Sequence, residues 1–340
     1  METIRVVSML LWPAFILCSA AIVFAGIRLS RYGDIIAEKT GMGGTWIGVV
    51  LMASVTSLPE LVTGVSAVTY ADAPDIAVGE VLGSCVFNML ILAFLDSAYR
   101  PMPISSKAHQ GHTLSAGFGI LLLSLVVLGL FLPHRALYLG WIGIYSLIFI
   151  VIYFFAVRMI YHAEKKQLAQ FIKETAIELK YKEVSIDSAV RNYAVNAVIV
   201  IVAAMFLPKI GAGIAAATGL GQSFVGVVLI AFTTSLPEVV VSLTAVKIGA
   251  IDLAIGNLFG SNIFNILILG ICDILYVKGP LLSWSSRNQS IPALIAIMMT
   301  AVAIIGLTYR AERKTLLIAW DSIFIVLLYL IGLGLMYGLR

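Results

Sequence analysis

Ten apolar stretches, each long enough to cross a lipid bilayer as a helix, set the strongest limit on what this chain can fold into. A helix needs about 20 apolar residues to cross a hydrocarbon core roughly 30 Å thick. The stretches near that length are residues 9–27, 46–70, 76–97, 114–132, 137–160, 193–217, 224–248, 253–277, 291–307 and 316–337. The pattern predicts an all-α integral membrane protein with ten transmembrane helices.

The composition excludes the soluble classes of protein. Of the 340 residues, 61% are hydrophobic and only 12% are charged, whereas about 25% of residues are charged in soluble domains. So few charges cannot cover the surface of a soluble fold. The first apolar stretch is longer than the core of a signal peptide, and no convincing cleavage site follows it. We therefore interpret it as the first membrane helix.

One polar segment, residues 162–191, interrupts the apolar pattern with the sequence AEKKQLAQFIKETAIELKYKEV. We interpret it as a solvated connector, and the alternative is a short amphipathic helix on the membrane surface. With this segment in the cytoplasm, sixteen Lys and Arg residues lie inside and six outside. The excess of basic residues on the cytoplasmic side predicts that both termini are extracytoplasmic. We expect a multi-pass protein of the plasma (inner) membrane.

The chain contains a duplication. Residues 46–60, WIGVVLMASVTSLPE, match residues 224–238, FVGVVLIAFTTSLPE, at ten of fifteen positions. Residues 76–92, IAVGEVLGSCVFNMLIL, match residues 253–269, LAIGNLFGSNIFNILIL, at nine of seventeen. Chance similarity between apolar helices reuses Leu, Ile and Val, but it does not repeat Thr, Ser, Pro, Glu, Gly and Asn in order. The match indicates an internal repeat.

Each copy of the repeat lies in a unit of five predicted helices. Because five is odd, the second unit enters the membrane from the opposite side. Inverted repeats of this kind are an architecture of secondary transporters, which bind substrate near the midplane between the repeats. The predicted domains are a first five-helix repeat (1–160, motif 46–95), a polar cytoplasmic connector (161–192) and a second five-helix repeat (193–340, motif 224–275).

The sequence TSLPE places a carboxylate, Glu60 or Glu238, within an apolar stretch of each unit. Proline breaks the helical hydrogen-bond ladder, and the serine and glutamate have the spacing of a helix capping box. Capping alone is one explanation. However, a carboxylate in the membrane costs about 2.5–3.5 kcal/mol on insertion scales, and its occurrence at both equivalent positions favours ion binding in addition to capping.

The residues around each glutamate are rich in oxygen. The broken helix is expected to free backbone carbonyls near Ala53 and Ala231, and hydroxyls come from Thr56, Ser57, Thr234 and Ser235. Oxygen ligands of these types suit hard cations, Ca²⁺ above all. Because no histidine or cysteine lies near the TSLPE sequences, a zinc or copper site is not expected.

The second part of each repeat adds further oxygen ligands. Ser84 and Asn88 are four residues apart and share a helix face, and so do Ser261 and Asn265. Interhelical hydrogen bonding is the alternative role for these pairs. The neighbouring glycines, Gly79, Gly83, Gly256 and Gly260, form patterns that allow close helix packing.

TSLPE followed by GS-x-x-F-N, present twice, resembles the two α-repeats of the cation/calcium exchanger superfamily, close to its sodium/calcium exchangers. The resemblance covers residues 46–95 and 224–275 and implies ten transmembrane helices with the motif-bearing helices around central cation sites. It implies that Glu60 and Glu238 are the bridging acidic ligands. It also assigns a flanking or ring-completing role to Thr56, Ser57, Thr234, Ser235, Ser84, Ser261, Asn88 and Asn265.

Three positions depart from that pattern. Family members often carry an aspartate in one repeat where this chain has Asn88 or Asn265, so its core has two carboxylates. Cys85 stands where the second repeat has Asn262. Glu80 stands where the second repeat has Asn257, on the same helix face as Ser84 and Asn88. Glu80 is either a third acid that lines the access route or a residue at the membrane edge that faces water.

The leading functional hypothesis is a secondary antiporter that exchanges Ca²⁺ for Na⁺ by alternating access, and the alternative is a Ca²⁺/H⁺ or other cation/H⁺ antiporter. A channel would also use acidic rings, but inverted repeats with broken helices favour a carrier. An intramembrane enzyme is not expected, because the four histidines lie near predicted helix ends or in loops.

The expected partners are the lipid bilayer and the transported cations, Ca²⁺ and Na⁺. No resident cofactor, no nucleic acid and no obligate protein partner is expected. The three cysteines, Cys18, Cys85 and Cys272, lack the spacing of metal ligands. We interpret them as small packing residues.

Overall fold

The computed structural model describes residues 2–39, 56–100, 102–132, 138–174, 184–247, 249–314 and 318–339. The described helices of the first half are α1 (Glu2–Lys39), α2 (Leu58–Thr69), α3 (Pro74–Ala98), α4 (Ile104–Lys107), α5 (His112–Phe131) and α6 (Ile144–Glu174). A two-stranded antiparallel hairpin, β1 (Tyr138–Leu139) and β2 (Ile142–Gly143), connects α5 with α6.

The second half begins with α7 (Ile186–Thr218) and then a short interrupted helix. That helix consists of α8 (Gln222–Phe224), a π-helical turn (Val225–Ile230), α9 (Ala231–Thr234) and α10 (Leu236–Lys247). The remaining elements are α11 (Ile251–Leu275), α12 (Leu281–Trp284), a 3₁₀ turn (Arg287–Gln289), α13 (Ser290–Tyr309) and α14 (Trp320–Gly338).

Within the described residues, eight helices are long and apolar enough to cross a membrane: Leu10–Gly33, Pro74–Ala98, His112–Phe131, Ile144–Ala163, Ile186–Thr218, Ile251–Leu275, Arg287–Tyr309 and Trp320–Gly338. A ninth is the pair Gln222–Thr234 and Leu236–Lys247, bent by 45°. The predicted stretch 46–70 is described only from residue 56 onward. The prediction of an all-helical membrane protein is confirmed, and its ten-helix inverted form stays a prediction.

The predicted fifth helix starts too early. Residues 137–160 read as one apolar stretch, but the structure places the hairpin first, and α6 starts at Ile144. Gly140 makes the turn with a φ of +66°, a conformation that glycine adopts without steric cost. Trp141, 46% exposed, donates its ring N–H to the Ile274 carbonyl at 3.0 Å. The apolar character of these residues therefore reflects an exposed aromatic turn and not more membrane helix.

The predicted connector continues the neighbouring helices. Helix α6 extends to Glu174 and α7 starts at Ile186. Residues 175–183 lie outside the described part of the chain. The described ends of this segment are therefore helical, and its solvated or surface character stays a prediction.

The duplication extends beyond the motifs to the order of the elements. Helices α2, α3, α4 and α5 have counterparts in α10, α11, α12 and α13, which start 177 or 178 positions later. An aspartate near the end of α3, Asp96, and its counterpart in α11, Asp273, connect the two copies through hydrogen bonds.

Each aspartate accepts one backbone N–H from its own half and one from the other half. Asp96 accepts from Ile104 at 2.8 Å and from Ala319 at 2.7 Å. Asp273 accepts from Leu281 at 2.6 Å and from Gly143 at 2.8 Å. Since Ala319 and Gly143 immediately precede α14 and α6, each half anchors the start of the last helix of the other.

The two motif-bearing helices α3 and α11 form the centre of the molecule. In the most apolar 18-residue window of α3, 94% of residues are buried, and the corresponding figure for α11 is 67%. In α1, α6 and α14 the figure is only 22–28%. This gradient is expected when peripheral helices present apolar side chains to lipid and the polar residues lie inside.

Helix α3 packs closely on the interrupted helix of the second half. A Cβ on Gly83 would lie 2.4 Å from the Val227 carbonyl oxygen, and a Cβ on Gly79 would lie 2.9 Å from that of Ser223. The predicted packing role of these two glycines is confirmed. The close approach brings the second TSLPE sequence against the polar face of α3.

Candidate functional site

The two TSLPE sequences meet at the centre of the molecule and exchange hydrogen bonds. Ser57 Oγ donates to Glu238 Oε1 at 3.3 Å, and Ser235 Oγ donates to Glu60 Oε1 at 3.1 Å. All four side chains are 0–1% exposed. Each glutamate is therefore held by a hydroxyl from the other half, as expected for a site between two repeats.

These hydrogen bonds between the two halves form in place of a capping box. Ser57 does occupy the N-cap position of α2, with Pro59 early in the first turn, but its side chain makes no capping hydrogen bond. A capping serine would accept the N–H of Glu60. The serine instead reaches the carboxylate of the opposite half, so capping alone does not explain the motif.

The serines of the two central helices join the same network. Ser84 in α3 lies 3.0 Å from Ser235 Oγ, and Ser261 in α11 lies 3.5 Å from Ser57 Oγ. Both are at most 1% exposed. The structure thus brings both predicted serines to the glutamates, one from each repeat.

The two asparagines point their amide groups at a neighbouring pair, Cys85 and Asn262. Asn88 Nδ2 donates to Asn262 Oδ1 at 2.9 Å, and Asn265 Nδ2 lies 3.8 Å from Cys85 Sγ. The side-chain oxygens of Asn88 and Asn265 have no hydrogen-bond partner. Cys85 and Asn262 therefore position these amides so that their oxygens remain available to a cation.

The threonines and the alanine carbonyls occupy different environments. Thr56 is 1% exposed and its hydroxyl hydrogen-bonds to Glu238. Thr234 Oγ1 lies 3.2 Å from Glu80 Oε1, and 3.3 Å from the Ala231 carbonyl. The Ala231 oxygen also accepts the Ser235 N–H at 3.0 Å.

The helix break therefore does not free the Ala231 carbonyl, contrary to the expectation. Its helical hydrogen bond is intact, and a cation would have to use its second lone pair or displace the Thr234 hydroxyl. Ala53, the equivalent residue of the first repeat, lies outside the described residues. The roles of both carbonyls as ligands stay predictions.

The sequence analysis gave a wrong alternative for one residue of the site, Glu80, and did not identify another, Thr63. Glu80 is 0% exposed, so the interpretation of this residue as facing water at the membrane edge is wrong. Thr63, also 0% exposed, was not identified. Its signal was present, because it follows Glu60 by three residues and so lies on the same helix face.

Unpaired oxygens are the main electrostatic feature of the site. The buried atoms without a hydrogen-bond partner include Glu60 Oε2, Glu80 Oε2, Glu238 Oε2, Asn88 Oδ1, Asn265 Oδ1 and Thr63 Oγ1. A buried polar group left unpaired costs about 1–3 kcal/mol. Such buried acceptors are suited to a ligand that supplies positive charge.

The donor set restricts the type of ion. Carboxylate, amide and hydroxyl oxygens suit hard cations such as Ca²⁺. No group of three or more His, Cys, Asp or Glu side chains arranged to hold a metal ion occurs among the described residues. The described part of the site therefore offers carboxylate, amide and hydroxyl oxygens, and not a cluster of three acidic side chains.

Among the described residues, the carboxylates of Glu60, Glu80 and Glu238 are buried, at 1%, 0% and 1% exposed.

The family described as "Sodium/calcium exchanger protein" matches residues 10–161 and 193–338. The chain is 28% identical over 284 residues to the inner membrane protein YrbG of Escherichia coli (strain K12), which covers 82% of this chain and 83% of that protein.

The name of a second relative and the name of a solved structure each state an activity for that protein. The chain is 26% identical over 338 residues to the sodium/calcium exchanger MaX1 of Methanosarcina acetivorans, which covers 89% of this chain and 91% of that protein. The crystal structure of the H⁺/Ca²⁺ exchanger CAX matches with a TM-score of 0.70 at 14% identity, over 97% of this chain and 85% of that one. At that identity the structural match shows the fold alone.

Proposed function

Because the chain belongs to the sodium/calcium exchanger protein family, we propose that it exchanges Ca²⁺ for Na⁺ across the membrane at the site between its two halves. The observation that carries the proposal is the reciprocal pairing of Ser57 with Glu238 and of Ser235 with Glu60. This pairing gives one site with a carboxylate from each half.

The charge of this pair suits one Ca²⁺. Glu60 and Glu238 together carry two negative charges when ionised, and each keeps one oxygen without a partner. The oxygens of Asn88 and Asn265 add neutral ligands. Ca²⁺ takes six to eight oxygen ligands in flexible geometry, and the serine hydroxyls supply further ones.

The same oxygens can hold Na⁺ in place of Ca²⁺. Each carboxylate then binds its own ion with the neighbouring hydroxyls. A site that binds either Ca²⁺ or Na⁺, but not both at once, produces exchange of the two ions. The buried carboxylates require a conformational change that opens the site to one side at a time, which is alternating access.

The proposed architecture is that of two inverted five-helix repeats, residues 1–160 and 193–340, joined by a cytoplasmic connector, 161–192. Both termini are proposed to lie outside a plasma (inner) membrane. The equivalent order of the elements and the mutual anchoring by Asp96 and Asp273 support this arrangement. Rocking of the peripheral helices against α3 and α11 would move the site between the two sides.

The second candidate is Ca²⁺/H⁺ exchange, the activity that the name of the structurally similar CAX states for that protein. In that case, protons neutralise the glutamates after Ca²⁺ leaves. The amides Asn88 and Asn265 favour Na⁺ instead, because an amide coordinates a cation through its oxygen but does not take up a proton at physiological pH.

Ca²⁺ flux in proteoliposomes with imposed Na⁺, K⁺ or H⁺ gradients tests the proposal. We expect an outward Na⁺ gradient to drive Ca²⁺ uptake better than an outward H⁺ gradient of equal size. Uptake that ignores Na⁺ and follows the H⁺ gradient would replace the sodium assignment with the proton alternative. Flux that does not saturate with Ca²⁺ and needs no opposing gradient would indicate a channel.

A further inference from the structure

The turns before α5 and α13 are two copies of one structure, 177 positions apart. In the first copy the N–H of His109 donates to Asp252 Oδ1 at 2.7 Å, and in the second the N–H of Ser286 donates to Asp75 Oδ1 at 2.6 Å. Asp252 and Asp75 stand in the first turns of α11 and α3. Each copy therefore connects a helix of one half to the central helix of the other.

Three residues after each of these N–H donors, a buried side chain contacts the same aspartate. His112 Nε2 lies 3.0 Å from Asp252 Oδ1. Gln289 Nε2 donates to the backbone carbonyl of Asp75 at 2.7 Å and lies 3.5 Å from its Oδ1. His112 and Gln289 are 5% and 0% exposed. The two positions are therefore equivalent in burial and in partner, although one holds an imidazole and the other an amide.

A glycine of the central helix leaves room for each of these side chains. A Cβ on Gly256 in α11 would lie 3.4 Å from His112 Cε1, and a Cβ on Gly79 in α3 would lie 3.2 Å from Gln289 Nε2. The two glycines occupy equivalent positions of the repeat. The packing of the turn on the central helix is thus the same in both halves.

The two copies differ in whether they take up a proton. We call His112 with Asp252 the inner contact and Gln289 with Asp75 the outer contact, because the proposed orientation places the start of α5 in the cytoplasm and the start of α13 outside. A glutamine amide does not take up a proton at physiological pH, whereas a histidine changes charge between pH 5 and 8. Protonation adds an ion pair to the inner contact and leaves the outer one as it is.

The surroundings of His112 supply one acid and a route for protons. The Asp252 side chain is 58% exposed, against 6% for His112, so the inner contact borders water. Helix α5 packs against α6, α11 and α13. Among the described side chains on these elements, at their ends and in the turn before α5, those on this side that are charged or change charge between pH 5 and 8 are Asp252, His109, Arg158, His162 and Arg310. Asp252 is the one acid in this set, and it is the group that a protonated His112 pairs with.

The described conformation combines the inner contact with buried carboxylates at Glu60 and Glu238. Helix α11, which the inner contact holds at its start, also carries Ser261 and Asn265 of the candidate site. An interaction that is stronger in one conformation shifts the population towards that conformation. A stronger inner contact therefore favours this buried conformation over one that is open to the cytoplasm.

We propose that the inner contact senses cytoplasmic pH: a proton taken up by His112 strengthens the attachment of α5 to the start of α11 and slows the opening of the site to the cytoplasm. This inference rests on the proposed function, from which it takes the exchange and the orientation of the chain. The outer contact gives no such response, because the amide of Gln289 stays neutral. Acidification of the cytoplasm, and not of the outside, therefore slows exchange through this pair of contacts.

Exchange of radioactive Ca²⁺ for unlabelled Ca²⁺ in proteoliposomes of the purified full-length protein tests the inference. The pH is equal on both sides and Na⁺ is left out, so no gradient of either ion drives the flux. Between about pH 7.5 and 5.5, where histidine changes charge, the unmodified protein should slow about fivefold more than His112→Gln. A change of about fivefold corresponds to one partly exposed ion pair. His112→Gln copies the outer contact, so the same packing can hold it.

A second variant and two controls define the contact. Asp252→Asn removes the charge that pairs with His112 but keeps an oxygen for the His109 N–H, and it should lose the same part of the slowing. His162→Gln makes the same chemical change at an exposed histidine of α6, and His109→Ser copies Ser286. Both should slow as the unmodified protein does. In right-side-out membrane vesicles, acidification of the interior alone should produce the slowing.

The outcomes separate this inference from the function on which it rests. Equal slowing of the unmodified protein, His112→Gln and Asp252→Asn would overturn the inference alone, because the assay would still show Ca²⁺ exchange. Slowing that is lost in His109→Ser or His162→Gln, or that follows only the pH outside, would also overturn it. An unmodified protein that exchanges no Ca²⁺ at any pH would overturn the proposed function, and the inference with it.

Discussion

Glu60 and Glu238 are each held by a serine of the opposite half, so a change of charge at either residue can be made with little change of shape. In Glu60→Gln and Glu238→Gln the amide oxygen can still accept from Ser235 or Ser57. The negative charge that compensates Ca²⁺ is lost. We expect both variants to abolish Ca²⁺ uptake in proteoliposomes while their thermal unfolding stays close to that of the unmodified protein.

The matched control is Glu312→Gln, which makes the same chemical change at an exposed acid. It should leave uptake unchanged. Near-normal uptake by either purified Glu60→Gln or Glu238→Gln would contradict the assignment of these residues as ligands. The glutamates would then have to be explained as structural acceptors for the two serines.

At the scale of elements, the contact between α3 and the π-helical turn (Val225–Ile230) positions the second TSLPE sequence. A Cβ on Gly83 would lie 2.4 Å from the Val227 carbonyl oxygen and 2.6 Å from its Cα, both backbone atoms. Gly83→Ala therefore has to push the two helices apart. We expect a loss of about 1–3 kcal/mol of stability, as is typical of overpacking, with reduced Ca²⁺ uptake.

Gly117→Ala is the control for this variant, because nothing lies within 4 Å of a Cβ at that glycine in α5. Alanine is the better helix former by about 1 kcal/mol, so Gly117→Ala should be neutral or stabilising. Thermal unfolding in detergent measures both. Equal effects of the two variants would show that the close approach of α3 does not matter for stability.

Asp96 forms a buried ion pair with Lys314 and also contacts the start of α14. Lys314 Nζ lies 3.3 Å from Asp96 Oδ1 and donates to the Tyr99 carbonyl at 2.7 Å. Asp96 also accepts the N–H groups of Ile104 and Ala319. In Asp96→Ala these two N–H groups lose their acceptor, and the buried ammonium of Lys314 loses its carboxylate partner. We expect a cost of about 3–5 kcal/mol.

Lys314→Met should cost less than Asp96→Ala, because the aspartate keeps its two backbone donors. The double variant should be more stable than Asp96→Ala, since it no longer buries an unpaired ammonium. Chemical or thermal unfolding of the three variants gives the order. If Lys314→Met is the least stable of the three, the backbone hydrogen bonds that Asp96 accepts are not the main contribution of Asp96 to stability.

The sequence predicted the elements better than the contacts between them. Apolar length located the membrane helices because spanning a bilayer is a local requirement of about 20 residues. It failed at Tyr138–Leu139 and Ile142–Gly143, where the same composition forms an exposed hairpin. The π-helical turn, in which Val227 lies in close contact with α3, was not predicted from the sequence.

The candidate site was predicted by residue type and not by pairing. Ser57 has the spacing of a capping residue, and only the position of the other half shows that it donates to Glu238. The burial of Glu80 likewise depends on helices far away in the sequence. Asp96 and Asp273 could have been found, because each is followed seven residues later by a proline in both repeats, Pro103 and Pro280.

At the scale of the whole molecule, the proposed inversion makes equivalent positions of the two halves face opposite sides of the membrane. Lys107 and Trp284 are such a pair, because each is the last residue of the short helix that follows the anchoring aspartate. Both are exposed. The excess of basic residues predicts that α4 lies in the cytoplasm and α12 outside.

Cysteine substitution at this pair tests the inversion directly. In intact cells, a membrane-impermeant thiol reagent should label Trp284→Cys, whereas Lys107→Cys should be labelled only after the membrane is made permeable. The unmodified chain is the background control, since Cys85 and Cys272 are buried and Cys18 is partly buried. The opposite assignment, with Lys107→Cys labelled from outside, would reverse the orientation but keep the inverted repeats. Labelling of both positions from the same side would contradict the inversion, because two copies of an element related by an odd number of membrane crossings cannot lie on one side.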